Sequence, residues 1–307
     1  MTDTYRVGVI GARGHAGSDL LRILDRHPHV DVVLAGSREL AGVPVPEING
    51  LHFESLVPED AAGRDLDALF LALPDGVGRP WTDAITEDTV IVDISADHRF
   101  DDSWVYGLPE LYRDKIAGAR RVANPGCYAT VLQLAIAPFL DDIHGVPTVF
   151  GVSGYSGAGT TPSPRNDPDN LRDNLIPYKL TGHNHEREGT RHLGQTVRFM
   201  PHVHPAFRGL LVTAHIPLAE PTTVEAAYAR LTAFYASEAL VDVQEEIPTL
   251  RDGTELIGVL IGGTTVSEDG LGLIVVAAED NLLKGAGVQA VQNMNLALGL
   301  PETEGIL

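Results

Sequence analysis

The chain has almost no thiol, very little lysine and no long apolar run. A single cysteine, Cys127, among 307 residues excludes an intrachain disulfide, so nothing points to an oxidising compartment and a cytoplasmic location is expected. Lysine occurs only at Lys115, Lys179 and Lys284, so nearly all the positive charge is arginine, and acidic residues outnumber it to give a formal charge of −20. That balance excludes nucleic acid as a natural partner, because binding to a phosphate backbone is driven by clustered Lys and Arg. It also disfavours anionic membranes and acidic carrier proteins. No apolar run reaches the roughly 18 to 20 residues of a bilayer span, and "MTDTYRVGVIGARG" lacks the basic segment and apolar core of a signal peptide. What is present describes a globular chain: 44% hydrophobic residues, 21% charged residues and 32 glycines, with length enough for two domains.

The first third alternates buried-strand runs with helical periods. "YRVGVI", "VDVVLAG", "LDALFLALP" and "TVIVDIS" read as strands; "AGSDLLRILDRH" carries Leu20, Leu21 and Leu24 at helical spacing. Such alternation predicts an α/β fold with a parallel sheet covered on both faces. "YATVLQLAIAPFL" predicts an apolar helix after Cys127. Beyond it, "RNDPDNLRDNLIPYKLTGHNHERE" is polar with little period, while "VRFMPHV", "GLLVTAHIPLA", "GVLIGGTTVS" and "LGLIVVAAED" predict a mixed sheet. "TTVEAAYARLTAFYASEA" predicts a helix capped by Thr222 or Thr223. The boundary is expected at Gly126 and Cys127, giving domains over 1–126 and 127–282. The final helix, within 283–307, is expected to return to the first domain to bury its apolar face.

"VGVIGARGHAGSDLL" places Gly11, Gly14 and Gly17, with Arg13, His15 and Ala16 between them, at a strand-to-helix turn. Glycine there permits close approach of backbone to a pyrophosphate whose charge meets the helix N-terminus. The GxxGxxG spacing equally suits a plain turn. The second strand ends in Ser37 and Arg38 where an NAD-binding site would place a carboxylate at the strand tip, which favours NADP(H) over NAD(H). A solvated loop arginine is the alternative for Arg38.

Cys127 follows Asn124-Pro125-Gly126 and opens the apolar helix. A free cysteine is usually an inert small hydrophobe. A helix N-terminus, however, stabilises the thiolate, and its N–H groups can receive an oxyanion. A nucleotide-type domain ending in a nucleophilic thiol points to hydride transfer to or from a thioester. The partner for proton transfer is sought in "GHNHERE", where His183 and His185 stand near Glu188. A zinc site is the competing reading, and acid/base chemistry without metal is preferred. Arg99 in "DISADHRF" and Arg208 in "HPAFRG" are the cations expected to meet an anionic substrate, unless each is spent on a structural ion pair.

These residues resemble those of the N-acetyl-γ-glutamyl-phosphate reductase family of arginine biosynthesis. The likeness runs through "GARGHAGSDLLRIL", "LALPDGV", "VDISADHRF", "VANPGCYAT", "GVSGYSGAGTTPS", "GHNHERE", "PHVHPAFRG" and "DNLLKGAGVQAVQNMNLALG", and is most similar to the xanthomonad-type branch. The resemblance implies a Rossmann-type NADP-binding domain joined to an α+β catalytic domain with a mixed sheet, as in glyceraldehyde-3-phosphate dehydrogenase-like architectures. It implies NADPH-dependent reduction of an acyl phosphate to a semialdehyde with release of phosphate, through a thioester on Cys127. His183 or His185 would be the acid/base and Glu188 would orient it. Pro74, Ser156, Gly157 and Asn281 would lie at the cofactor, and Asn124 and Ser153 would join Arg99 and Arg208 at the substrate. "HNHERE" departs from the commoner family pattern "HRHTPEI", which loosens the transfer for Glu188. A small-molecule substrate and a homodimer or homotetramer built on the second-domain sheet complete the expectation. The rival readings are a carrier-linked reductase of lysine-type biosynthesis, which a −20 surface would repel, and an NADP(H)-sensing module without chemistry, which leaves the placement of Cys127 unexplained.

Overall fold

The structure, a computed structural model, describes residues 4–46, 48–86 and 88–307. The chain forms two compact units, Met1–Gly126 with Ala286–Leu307 and Cys127–Gly285.

The first unit is built on β1 (Tyr5–Ile10), β2 (Val30–Gly36), β3 (Phe53–Glu54), β4 (Ala68–Leu71), β5 (Val90–Asp93), β6 (Val105–Tyr106) and β7 (Arg121–Ala123). They form one sheet in the order β3-β2-β1-β4-β5-β7-β6, and every pairing is parallel. Continuous apolar runs explain this: "ALFL" of β4 and "VIVD" of β5 are buried at every position, which needs cover on both faces. The helices α1 (His15–Asp25), α2 (Pro58–Ala62), α3 (Arg79–Ala84) and α4 (Pro109–Ile116) connect the strands. The chain walks outward from β1 to β3, then returns to place β4 on the other side of β1. That reversal is the switch point where doubly wound sheets open a crevice at the strands' carboxyl ends.

The second unit begins with α5 (Cys127–Ile136), whose residues after Cys127 are all buried. The predicted continuation of this helix to Leu140 gives way to a 3-10 turn over Ala137–Asp142, because Pro138 has no N–H to continue the α ladder. A seven-stranded mixed sheet follows from β8 (Thr148–Gly154), β9 (Ile176–Pro177), β10 (Arg198–His204), β11 (Leu210–Pro217), β12 (Val241–Val243), β13 (Val259–Val266) and β14 (Gly272–Glu279), in the order β12-β13-β14-β11-β8-β10-β9. The stretch that read as polar and aperiodic contains the short α6 (Pro168–Leu171) and the start of α7 (Asn184–Leu193), which ends on left-handed Gly194. The helix α8 (Val224–Phe234) takes its cap from Thr223, whose side chain accepts the Ala226 N–H. One sheet face is covered, with α5 against β11 and β14 and α8 against β13. On β8, β10 and β11 burial alternates along the strand, so the opposite face is the more open one; Phe150 stands 39% exposed on β8.

After β14 a π-helical turn, Leu283–Gly287, leads into α9 (Val288–Leu298), which belongs to the first unit. The helix is buried nearly all round, and its amides serve as struts rather than surface. Gln289 and Asn293 both donate to the Gly107 carbonyl at 2.9 Å, and Asn293 also donates to Asn124 Oδ1 at 2.9 Å. Buried amides left unpaired would each cost about 1–3 kcal/mol, so the "QAVQNMN" pattern is a hydrogen-bonding requirement as much as an apolar one.

Candidate active site

At the switch point of the first unit, β1 runs into a turn that only glycine permits. Gly11 has φ +82°, and a Cβ there would fall 2.1 Å from the Ala72 carbonyl beyond β4. A Cβ on Gly17 would fall 2.5 Å from the Gly11 carbonyl. Gly14 is the N-cap of α1 and offers no capping side chain, and no acidic residue occupies the first turn, which also carries His15 and Ala16. The N-terminal N–H groups of α1 are thus presented with a bare backbone and a favourable dipole, the arrangement that suits a pyrophosphate. At the end of β2, Ser37 Oγ accepts the Leu40 N–H at 3.3 Å, while Arg38 is exposed. Arg13 does not stand alone, for its guanidinium bonds Glu39 at 3.1 Å. Pro74 lies exposed in the loop after β4. The residues fit a dinucleotide with a phosphorylated ribose: backbone for the pyrophosphate, a hydroxyl and a guanidinium for the 2′-phosphate.

In the second unit, Cys127 is the first residue of α5 and is half-buried. The corner after β14 closes over it: a Cβ on Gly285 would lie 2.7 Å from the Cys127 Cβ. The helices α5 and α7 pack closely because residue 189 is glycine, where a Cβ would meet Leu132 Cδ1 at 2.6 Å. That contact brings the histidine end of α7 to the thiol end of α5. Rings then chain together: Tyr178 to His183 at 5.5 Å, His183 to His185 at 4.7 Å, and His185 to Tyr128 at 5.9 Å between centroids. The phenols of Tyr178 and Tyr128 are both held above the ordinary tyrosine range, mainly by burial and further by the negative charge of Cys127. Both phenols therefore lie near Cys127.

The two histidines have different jobs in this geometry. His183 is the N-cap of α7, and its Nδ1 accepts the His185 backbone N–H at 3.1 Å. Glu186, three residues on, closes the cap, its carboxylate accepting the Gly182 and Phe199 N–H groups at 2.9 Å each. His183 thus takes the N-cap place usually held by serine, threonine, aspartate or asparagine, while Glu186 at N3 bonds the residue before the cap instead of the cap's own N–H. Burial, with Lys179 and Arg165 adding repulsion and Glu186 opposing, pushes His183 down to about 4. It is therefore neutral near pH 7, with its proton on Nε2. His185 has no capping duty for its ring, and Glu188, fully buried, follows one turn later on the same helix face.

The remaining expected site residues have the following protein partners. Arg99 and Asn124, expected at the substrate, are buried struts of the turn that precedes the thiol. Arg99 donates Nε to the Asn124 carbonyl at 2.8 Å and Nη2 to the Ile94 carbonyl at 2.7 Å, and Asn124, 0% exposed, accepts from Asn293. Their polar atoms satisfy backbone that burial would otherwise orphan. Arg208 pairs with the buried Asp280 at 3.5 Å. Ser153 donates to the Gly154 carbonyl, and Asn281 ties Gly209 N–H to Ser156 Oγ, with Gly157 packed beside them. Among the described residues no cluster of three or more metal-ligating side chains occurs.

Sequence reasoning gave no place in this cluster to Tyr178, Arg165 or Lys179. The Arg165 guanidinium lies 4.8 Å from the Tyr178 ring centroid, and Lys179 Nζ reaches Asn184 Oδ1 at 3.4 Å.

The profile of the semialdehyde dehydrogenase NAD-binding domain matches residues 6–119, and that of the semialdehyde dehydrogenase dimerisation domain matches residues 127–281. The chain is 50% identical over 311 residues to the N-acetyl-gamma-glutamyl-phosphate reductase of Xanthomonas oryzae pv. oryzae, covering 99% of this chain and 98% of the relative. It is 46% identical to the protein of the same name from Xylella fastidiosa, with 99% and 96% covered. Among solved structures it resembles aspartate semialdehyde dehydrogenase II of Vibrio cholerae, with a TM-score of 0.79 at 19% identity, covering 97% of this chain and 99% of that one. The Candida albicans enzyme with NADP gives a TM-score of 0.76 at 17% identity, with 97% and 99% covered. At those identities the structural likeness speaks for the fold.

Proposed function

Because the chain belongs to the semialdehyde dehydrogenase family, we propose that it catalyses the NADPH-dependent reduction of N-acetyl-γ-glutamyl phosphate to N-acetylglutamate 5-semialdehyde, the step carried in the name of its 50% identical relative. The observation that carries this reading is Cys127 at the first turn of α5, next to Tyr128 and acting on Tyr178, two members of the ring chain that includes His183 and His185. A thiol so placed is activated by the helix N-terminus.

The Cys127 thiolate attacks the γ-acyl carbon, forming a C–S bond as the C–O bond to phosphate breaks. First-turn N–H groups of α5 steady the developing oxyanion. The glycine turn with Ser37 and Arg38 would hold NADPH, which would supply the hydride that reduces a thioester. His185 protonates the adduct's oxygen and takes that proton back as the C–S bond breaks, which frees the aldehyde and restores the thiolate. The one proton consumed overall leaves on phosphate. His183 holds the first turn of α7, and Glu188 orients His185.

The protein acts as a homodimer through the open face of the second sheet, around Phe150. A reducing cytoplasm suits a lone catalytic thiol. Phosphate-dependent reduction of NADP+ by N-acetylglutamate semialdehyde tests the function. Cys127→Ser should lower that rate by at least about 10⁴-fold while NADPH still binds; unchanged turnover in the variant would overturn the reading.

A further inference from the structure

In a chain with 42 acidic and 22 basic residues, cations beside the thiol cluster with no acidic partner are conspicuous. Arg165 and Lys179 are two such residues: neither makes an ion pair with any described residue, and each sits against the acid/base cluster of the second unit. Arg165 is held rather than loose. Its guanidinium stacks over Tyr178 at 4.8 Å, and the loop that bears it is knitted by Asn166, which donates to the Gly159 and Thr161 carbonyls at 2.8 Å each and accepts from Ser163. Lys179 is held at a conformational cost: its φ is +42°, in the left-handed region that a lysine rarely adopts. Both charges also act on His183, whose proton affinity they lower. Both cations are thus held beside the Tyr178 and His183 rings with no acidic partner among the described residues.

We propose that Arg165 and Lys179 form the recognition site for a carboxylate of the substrate, set at the far end of the molecule from the carbon that Cys127 attacks. This rests on the acyl-phosphate reductase reading. The distal anion is favoured over the phosphate by placement. The Arg165 guanidinium is seated on the Tyr178 ring and Lys179 Nζ on Asn184 Oδ1, whereas phosphate is bonded to the reacting carbonyl itself. In a glutamyl chain the α-carboxylate carbon stands about 5 Å from the γ-acyl carbon when extended, from bond lengths near 1.5 Å. A planar guanidinium takes a carboxylate through two parallel hydrogen bonds, and the ammonium adds a point charge. The pair then selects for an acidic acyl chain and sets its depth at the thiol.

The test uses the reverse reaction, because there the carboxylate and the phosphate arrive on separate molecules. Arg165→Met and Lys179→Met are each expected to raise the KM for N-acetylglutamate semialdehyde by about 10- to 100-fold. The KM for phosphate and the Kd for NADP+ should move less than twofold. Lys179→Gly removes the charge while relaxing the left-handed backbone, and should show the same KM rise with no loss of thermal stability. The α-carboxamide of the semialdehyde should be turned over equally by wild type and variants. A rise in the phosphate KM instead would give these cations to phosphate, and an unchanged semialdehyde KM would remove them from recognition altogether; either result overturns the proposal. Turnover of the semialdehyde by the wild type checks the functional reading separately, and if it is absent, that reading falls and takes this proposal with it.

Discussion

Replacing His183 separates the two histidines by function. As the N-cap of α7 it contributes through Nδ1, which accepts the His185 N–H at 3.1 Å. Asparagine is among the best N-cap residues and presents an acceptor to the same N–H, so His183→Asn should keep the helix start and most of the turnover. His183→Ala removes the acceptor and should cost about 1 kcal/mol of stability, together with some loss of rate as the first turn of α7 frays and carries His185 with it. His185→Asn should cost about 100-fold or more in kcat, the usual scale of a lost general acid/base.

The same ring makes a prediction for pH. Its affinity for a proton falls from 6.5 in the unfolded chain to about 4 in the fold. Between those values the unfolded chain binds a proton that the folded one does not, so stability is complete above about pH 6.5 and drains away as pH falls toward 4. With solvent screening from the side of exposed Lys179, the loss should be about 2 kcal/mol. Urea melts of wild type and His183→Asn across pH 4 to 7.5 measure it: as pH falls the wild type should lose about 2 kcal/mol relative to His183→Asn, because asparagine does not titrate. The reasoning is refuted if His183→Asn is as inactive as His185→Asn, or if the two melts keep parallel pH dependences.

Further expectations follow from the packing around the thiol and the two faces beyond it. Gly285→Ala sets a methyl 2.7 Å from the Cys127 Cβ, so the thiol must move, and both kcat and the rate of alkylation by iodoacetamide should drop by about tenfold or more with NADPH affinity unchanged. Arg38→Ala should weaken NADPH by about 10- to 100-fold in a fluorescence titration and leave NADH binding alone, since only NADPH carries the 2′-phosphate. Phe150→Glu puts a charge on the open face of the second sheet, and light scattering should then report a monomer where the wild type is a dimer.

What could be read from the chain alone was whatever its neighbours in sequence determine. Buried strands in the first unit announce themselves as short apolar runs, and Gly11 and Gly17 as a turn, because those constraints act within a few residues. Cys127 was legible for the same reason, lying at a Pro-Gly turn before an apolar helix. Arg99 shows where such reasoning stops. Its place after a buried strand located the backbone correctly, yet said nothing of which acceptors compete for its guanidinium. In the fold, Arg99 gives two of its donors to the carbonyls of Asn124 and Ile94, a pairing that no local pattern announces. Arg165 is the converse case. In sequence it stands in a Pro- and Asp-rich loop 18 residues before His183, with no period to mark it. Only the packing of that loop against Tyr178, and of Tyr178 against His183, brings its charge to the site. A cation that folding leaves without an acid is therefore a better guide to an anionic ligand than a cation that merely sits near a strand end, because the cost of assembling it has been met with no internal partner to account for it.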